Sequence, residues 1–285
     1  MRGSFFRRFA AVAFFGLFAA GGACGGEKFT ALPNDGGGAE AGGDDASADG
    51  ATDATDTGFC ATQPMRHFLC DDFDRRANDL KGLIWDDLTV SGDSDQMLID
   101  STEALSPPRS LLVETTRPNI VFSEQDMILL KKCGHARSLD IAYDLKLESY
   151  GGNGTNFDTN GALLTEIGFG PLSYVLILES PTQVVFLESI APDGGQKMSS
   201  TIGINAGPMT GQWVHVDIKL TLPQAGQQGE VVIAIGGQIV LMHGLQYNAF
   251  VPLTEPAVVG LGLILGSAPN VWKLRYDNVT IDRTT

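Results

Sequence analysis

The chain has 285 residues, enough for one large β domain or two small ones, and its 34 acidic and 19 basic residues give a formal net charge of −15. An acidic surface repels phosphate backbones, so the composition argues against a nucleic-acid partner. Beyond the N-terminal segment, no apolar run reaches the roughly 18 residues of a membrane-spanning helix, so no internal span is predicted.

Residues 1–24 have the pattern of an export signal. Three arginines within the first eight residues precede an apolar stretch over 9–20, and small residues at 21–23 come before Cys24. This arrangement resembles a bacterial lipobox, in which the cysteine receives the lipid and becomes the mature N-terminus. Gly21 stands where the lipobox usually carries an aliphatic residue, so cleavage without lipidation is the alternative. The resemblance implies an exported protein anchored through Cys24, and the absence of Asp after that cysteine implies the outer membrane or cell surface.

Residues 25–58 are predicted to be a disordered acidic linker. The segment contains eight acidic residues and one lysine among many glycines and alanines, and it has few large apolar side chains. Such a chain cannot bury enough apolar surface to offset the entropy lost on ordering. We therefore expect a solvated spacer that is extended by its like charges. The alternative is a linker whose length is not under selection.

Residues 59–285 are predicted to be one all-β domain. Apolar and polar residues alternate over Leu139–Glu148 and Trp213–Leu222, which is typical of strands with one buried face. In Val231–Met242, Gly236-Gly237 separates two β-branched runs and predicts a two-residue hairpin. Closely spaced strands without intervening helices favour a two-sheet sandwich or a barrel. Further strands are predicted at Ile84–Val90, Met97–Asp100, Ser110–Thr115, Asn119–Phe122, Asp126–Leu130, Gly161–Phe169, Leu172–Glu179, Gln183–Ser189, Met198–Ile204, Ala257–Leu265 and Trp272–Asp282.

Four short motifs narrow the fold. They are FLCDDFDR at 68–75, GQWVHVDIKL at 211–220, VVIAIGGQIVL at 231–241 and WKLRYDNVTID at 272–282. Together they resemble the concanavalin A-like lectin/glucanase superfamily, also called the laminin-G-like jelly roll. This resemblance implies a two-sheet antiparallel β-sandwich whose first strand lies beside its last. With its Asp/Ala/Gly linker, the chain also resembles exported lipoproteins of myxobacteria and their relatives.

The sequence lacks the carboxylate spacing of the glucanase branch of that superfamily. A retaining pair needs carboxyl groups about 5 Å apart, which two residues on one face of a strand can supply. The nearest arrangement here is Asp140, Asp144 and Glu148, and four strand residues span about 13 Å. Lys146 between the last two favours a solvated face. No zinc-ligand spacing, phosphate-binding loop or Gly-x-Ser-x-Gly motif appears, so we expect no enzyme.

The best candidate for ligand binding is the outward row of the Trp213 strand. Trp213 offers a flat apolar face for a sugar ring, and His215, Asp217 and Lys219 offer hydrogen bonds. If this row lies on the concave sheet of the jelly roll, it corresponds to the surface where lectin-like members bind glycans. The alternative is that Trp213 packs under a loop.

Asp71, Asp72, Asp74 and Asp277 would approach one another if the first and last strands pair, as the resemblance implies. A structural calcium ion would relieve the repulsion among these carboxylates, and the alternative is turn capping by solvated aspartates. Calcium is therefore the one cofactor that the sequence suggests.

Three cysteines remain if Cys24 is lipidated, and an exported compartment permits one disulfide among them. Cys60–Cys70 would staple the end of the linker to the first strand, whereas Cys70–Cys133 would join distant segments. We favour Cys60–Cys70. An unlipidated Cys24 would restore an even count.

These features predict a membrane-anchored, non-catalytic lectin-like module that binds a glycan or a surface protein. Two alternatives stay open: a divergent glycoside hydrolase of the same fold, and a structural envelope lipoprotein with no ligand.

Overall fold

A computed structural model describes residues 58–63, 67–74, 80–82, 84–91, 95–115, 125–151, 162–190, 198–223, 227–246, 256–265 and 271–285. The predicted signal segment with Cys24, the predicted linker up to residue 57 and the predicted strand Asn119–Phe122 lie outside these ranges. The helix in the described ranges, α1 (Phe59–Thr62), has four residues. No helix there has the length and apolarity to cross a membrane.

Two antiparallel sheets stack face to face and confirm the predicted all-β sandwich. The larger sheet runs β13-β12-β11-β6-β15-β4-β3, with β1 also paired to β15, and the smaller runs β10-β9-β8-β7-β14-β5-β2. The strands of the larger sheet are β1 (Leu69–Asp71), β3 (Gln96–Asp100), β4 (Ser110–Glu114), β6 (Ser138–Ser149), β11 (Trp213–Thr221), β12 (Glu230–Ile235), β13 (Gln238–Gly244) and β15 (Lys273–Thr284). Those of the smaller sheet are β2 (Asp87–Val90), β5 (Gln125–Gly134), β7 (Ala162–Phe169), β8 (Leu172–Ser180), β9 (Gln183–Ile190), β10 (Met198–Ile204) and β14 (Ala257–Leu265).

The first strand lies beside the last, as the superfamily resemblance implied. Leu69 of β1 pairs with Ile281 of β15, and Asp71 pairs with Val279. The predicted hairpin is also present: β12 and β13 join through Gly236-Gly237, and both glycines have positive φ, which a two-residue hairpin turn of this kind requires.

One continuous core fills the space between the sheets. The predicted inward row of β6, which includes Ile141, Tyr143 and Leu145, is fully buried, and Val216 and Ile218 of β11 are buried beside it. Because side chains alternate along a strand, burying this row turns the intervening polar residues of β6 and β11 to the outer face of the larger sheet.

Candidate functional site

The predicted binding row lies on the outer face of the larger sheet, on a central strand. Within β11, His215 and Lys219 are exposed, and Trp213 and Asp217 are half-buried. β11 pairs antiparallel with β6, which supplies the facing row of polar side chains. The cross-strand pairs are Trp213 with Lys146, His215 with Asp144, Asp217 with Ala142 and Lys219 with Asp140.

His215 and Asp144 form a hydrogen-bonded pair across these strands. Nδ1 of His215 lies 2.9 Å from Oδ1 of Asp144. The imidazole is 49% exposed, whereas the Asp144 side chain is only 11% exposed. Since a carboxylate can only accept, the pair assigns the proton of the neutral imidazole to Nδ1 and leaves the Nε2 lone pair toward solvent. The hydrogen bond to Asp144 raises the pKa of His215 above its usual range, although partial burial opposes this.

The second oxygen of Asp144 is held by Asn278 of β15. Asn278 Nδ2 donates to Asp144 Oδ2 at 2.8 Å, and Asn278 is nearly buried. Its φ is 52°, in the left-handed region that Asn tolerates better than most residues. Asp144 therefore has a fixed orientation, with one oxygen on the imidazole and the other on the amide.

The preceding residue, Asp277, is buried and anchors a loop. It accepts hydrogen bonds from the backbone N–H groups of Leu105 and Ser106 at 2.9 Å, and its Oδ1 lies 3.0 Å from the Ser106 hydroxyl oxygen. Burial raises the pKa of Asp277 to about 6, despite these donors. The loop between β3 and β4 is thus fixed over the central strands of the sheet.

Asp217 supplies a second kind of titrating group on the same face. Burial raises the pKa of Asp217 above its usual range, and the negative charge of Asp140 adds to the effect. Oδ1 of Asp217 has no hydrogen-bond partner among the described residues. Lys219 bridges to Asp140 at 3.2 Å, with both side chains about half exposed. Asp217 can therefore hold a proton at higher pH than an ordinary carboxyl group.

The remaining cations of this face are tied into structural ion pairs. The Arg275 side chain is only 2% exposed, and its Nε lies 2.5 Å from Glu148 while Nη1 lies 2.6 Å from Asp100. Lys273 also bridges to Glu148, at 2.9 Å. The face is thus a charged surface whose exposed, less constrained groups gather around His215.

An apolar border flanks the charged row on the outer side. Ile239 and Met242 of β13 are 63% and 62% exposed, and they pair with Ala234 and Val232 of β12. Val232 in turn lies opposite Lys219. The outer face therefore changes from charged to apolar between β11 and the edge strand β13.

The aspartates proposed to bind calcium already have protein donors. Asp71 accepts from the Trp85 indole N–H at 2.8 Å, Asp72 accepts from the Cys60 N–H at 3.0 Å, and Asp277 anchors the loop described above. Within the described ranges, no group of three His, Cys, Asp or Glu residues is arranged to hold a metal ion. Calcium binding stays a prediction.

Cys60 and Cys70 form a disulfide with Cα atoms 5.7 Å apart, which is the pairing the sequence analysis favoured. Cys133 is a free, buried thiol, and burial raises its pKa to about 11.

Sequence reasoning missed the partners of His215. Spacing along one strand relates Asp144 to Asp140 and Glu148, whereas the partners of its side chain, His215 and Asn278, lie on neighbouring strands. Asn278 has no role of its own in the sequence analysis beyond its place in the motif at 272–282. The cluster depends on the pairing register of β6 with β11 and β15, for which the sequence carries no local signal.

No protein-family model and no curated protein matches the chain. Solved structures match its fold. An endo-β-1,4-glucuronan lyase from the fungus Trichoderma reesei aligns with a TM-score of 0.57 and 13% identity, covering 76% of this chain and 96% of that one. The cellulose-induced protein Cip1 aligns with a TM-score of 0.50 and 14% identity, covering 76% and 97%. At these identities the likeness establishes the fold, a sandwich of the jelly-roll type.

These neighbours correct two expectations. A non-catalytic lectin-like module and the absence of enzymatic activity were predicted from the missing carboxylate motif. The match to a glucuronan lyase contradicts both predictions, because an enzyme shares this fold. The physical reason is that the motif tests for one chemistry only. A retaining glycosidase needs two close carboxylates, whereas other ways of cleaving a polysaccharide use other groups.

Proposed function

We propose that the chain is an enzyme that cleaves polysaccharides, a lyase acting on uronic-acid polymers, with His215 as its base. The observation that carries the proposal is the His215–Asp144 pair, an exposed imidazole oriented by a nearly buried carboxylate. This arrangement is the usual device for holding the base nitrogen of a histidine toward a substrate. The shared fold with a glucuronan lyase supports the proposal.

In the proposed reaction, Nε2 of His215 removes the proton on the carbon next to the uronic carboxylate. The electron pair of that C–H bond forms a C=C bond, the neighbouring C–O glycosidic bond breaks, and the leaving oxygen takes up a proton. Asp217 lies two residues away on the same face, about 7 Å along the strand, and its raised pKa suits it to donate that proton.

Lys219 and the apolar border would bind the polymer. The bridge from Lys219 to Asp140 is half exposed, and such a pair contributes at most about 1 kcal/mol, so Lys219 can exchange Asp140 for a substrate carboxylate. Trp213, Ile239 and Met242 offer apolar surface to the faces of sugar rings.

A second candidate, a glycoside hydrolase, is favoured by one observation. Asp217 and Asp144 lie diagonally on neighbouring strands, where Cα atoms are about 7–8 Å apart, and the pKa of Asp217 is raised. In an inverting hydrolase, the carboxyl group of the acid and that of the base lie about 6.5–9.5 Å apart. Because the two residues lie on different strands, spacing along a single strand does not predict this pair.

Incubating the purified full chain with glucuronan, alginate and a neutral β-glucan separates these candidates. A lyase releases reducing ends together with unsaturated ends that absorb in the ultraviolet, and a hydrolase releases reducing ends alone. The His215→Gln variant should lose the activity, and His135→Gln, which alters an exposed histidine in the β5–β6 turn, should keep it. No release from any polymer would overturn the proposal.

We further propose that the enzyme is exported and held at the outer membrane or cell surface by a lipid on Cys24. The lipobox-like segment and the acidic composition of residues 25–58 support this, because the predicted spacer would let an anchored enzyme reach an extended polymer. Mass spectrometry of the mature N-terminus tests it. An unmodified peptide beginning at Cys24 would contradict the anchor.

A further inference from the structure

The His215–Asp144 pair is the end of a longer hydrogen-bonded chain that begins in the loop between β3 and β4. The Ser106 hydroxyl lies 2.6 Å from Oδ1 of Asn278, Nδ2 of Asn278 donates to Asp144 at 2.8 Å, and Asp144 accepts from His215. Ser106 is itself fixed by Asp277 through its backbone N–H. Three contacts thus connect this loop to the imidazole.

A β-bulge in β15 makes this chain possible. Asp277 lies opposite Asp144 of β6, but the next pair joins Thr280 to Ala142, so one extra residue is inserted in β15. With the insertion, both Asp277 and Asn278 reach polar partners at the outer face, while Val279 returns to the core. Bulges commonly re-aim side chains next to active sites.

The amide of Asn278 has only one satisfactory orientation. A carboxylate can only accept, so the NH₂ group must face Asp144, and the carbonyl oxygen then faces the Ser106 hydroxyl, which can donate. The reverse orientation would place two acceptors against each other. The Asp144 carboxylate therefore selects the amide orientation, and the Ser106 hydroxyl donates to the carbonyl oxygen that this orientation presents.

We propose that Asn278 is a positioning residue, which, aided by Ser106, locks Asp144 and thereby keeps the His215 proton on Nδ1 and the base lone pair on Nε2. This proposal rests on the proposed function for its consequence in catalysis, but the tautomer itself is independent of any substrate. Without Asn278, Asp144 can rotate toward solvent, and the imidazole loses the partner that fixes its proton.

The test is ¹⁵N NMR of the His215 ring in the full chain and in Asn278→Gly. Glycine adopts the left-handed backbone without strain, so this variant removes the amide and keeps the bulge. We expect the wild type to hold the proton on Nδ1 and the variant to shift toward Nε2. Ser106→Ala should shift it less, and Asp144→Asn should abolish the Nδ1 preference.

A folded Asn278→Gly protein with an unchanged His215 tautomer would overturn the proposal. If the chain cleaves a uronic-acid polymer, kcat should also fall on the order of tenfold to a hundredfold with KM nearly unchanged. A tautomer shift in a protein that cleaves no polymer would leave the positioning role intact and refute only the proposed function.

Discussion

Replacing Arg275 with methionine should destabilise the domain, mainly because one poorly solvated carboxylate loses the cation that pairs with it. Arg275 is buried on β15 and pairs with Asp100 at the end of β3 and with Glu148 on β6. Both carboxylates are less than one-fifth exposed. Removing the guanidinium leaves Glu148 its bridge to Lys273, whereas Asp100 keeps, among the residues that the structure describes, only the hydrogen bonds from Thr102. The main cost is therefore one poorly solvated, uncompensated carboxylate.

Breaking a buried ion pair by removing one partner costs about 3–5 kcal/mol, and we expect the lower end because Lys273 still serves Glu148. For a unit of this size, each kcal/mol lowers Tm by about 2–4 °C, so Tm should fall by about 6–12 °C. Urea unfolding followed by tryptophan fluorescence measures the free energy of unfolding.

Lys219→Met is the matched control, because its bridge to Asp140 is about half exposed and should contribute at most about 1 kcal/mol. Adding Asp100→Asn to Arg275→Met should recover part of the loss. If Arg275→Met costs no more than Lys219→Met, the buried network does not stabilise the sheet as argued.

Three further predictions concern titration and packing. The pKa of Asp277 is raised to about 6, so the folded state keeps a proton that the unfolded chain loses near pH 4. The free energy of unfolding should therefore fall by up to about 3 kcal/mol as the pH rises from 4 to 6. Asp277→Asn should flatten that fall in urea titrations. Gly262→Ala should prevent folding or lower Tm strongly, because a Cβ there would lie 1.9 Å from a carbonyl oxygen of the neighbouring strand, whereas Gly168→Ala, with open space, should be mild. Asp144→Asn should lower the pKa of His215, so the rise of activity with pH should move to lower pH while kcat falls. If the pH at which activity rises is the same in this variant as in the wild type, His215 is not the base.

Alternation alone predicted most of the sandwich, because burying one face of a strand leaves little freedom in side-chain direction. The inward row of β6 from Leu139 to Leu147 is buried as expected, and β11 follows the same rule. The Gly236-Gly237 turn was also predictable, because few other residues adopt positive φ at two successive positions.

The site could be predicted only in part. His215 and Asp217 belonged to the predicted outward row, since that requires only the period of one strand. Their environment depends on which strands are neighbours, on the register between them and on the bulge at Asn278, and these follow from packing of the whole core. Reasoning along a single strand therefore found the proposed base, His215, but not the carboxylate that orients it.

The most direct measurement is the ultraviolet absorbance produced when the purified full chain acts on glucuronan, compared with its His215→Gln and His135→Gln variants. We predict rising absorbance with the wild type and with His135→Gln, and none with His215→Gln. Equal absorbance from all three proteins would show that His215 is not the base, and its absence from the wild type on every uronic-acid polymer would contradict the lyase assignment.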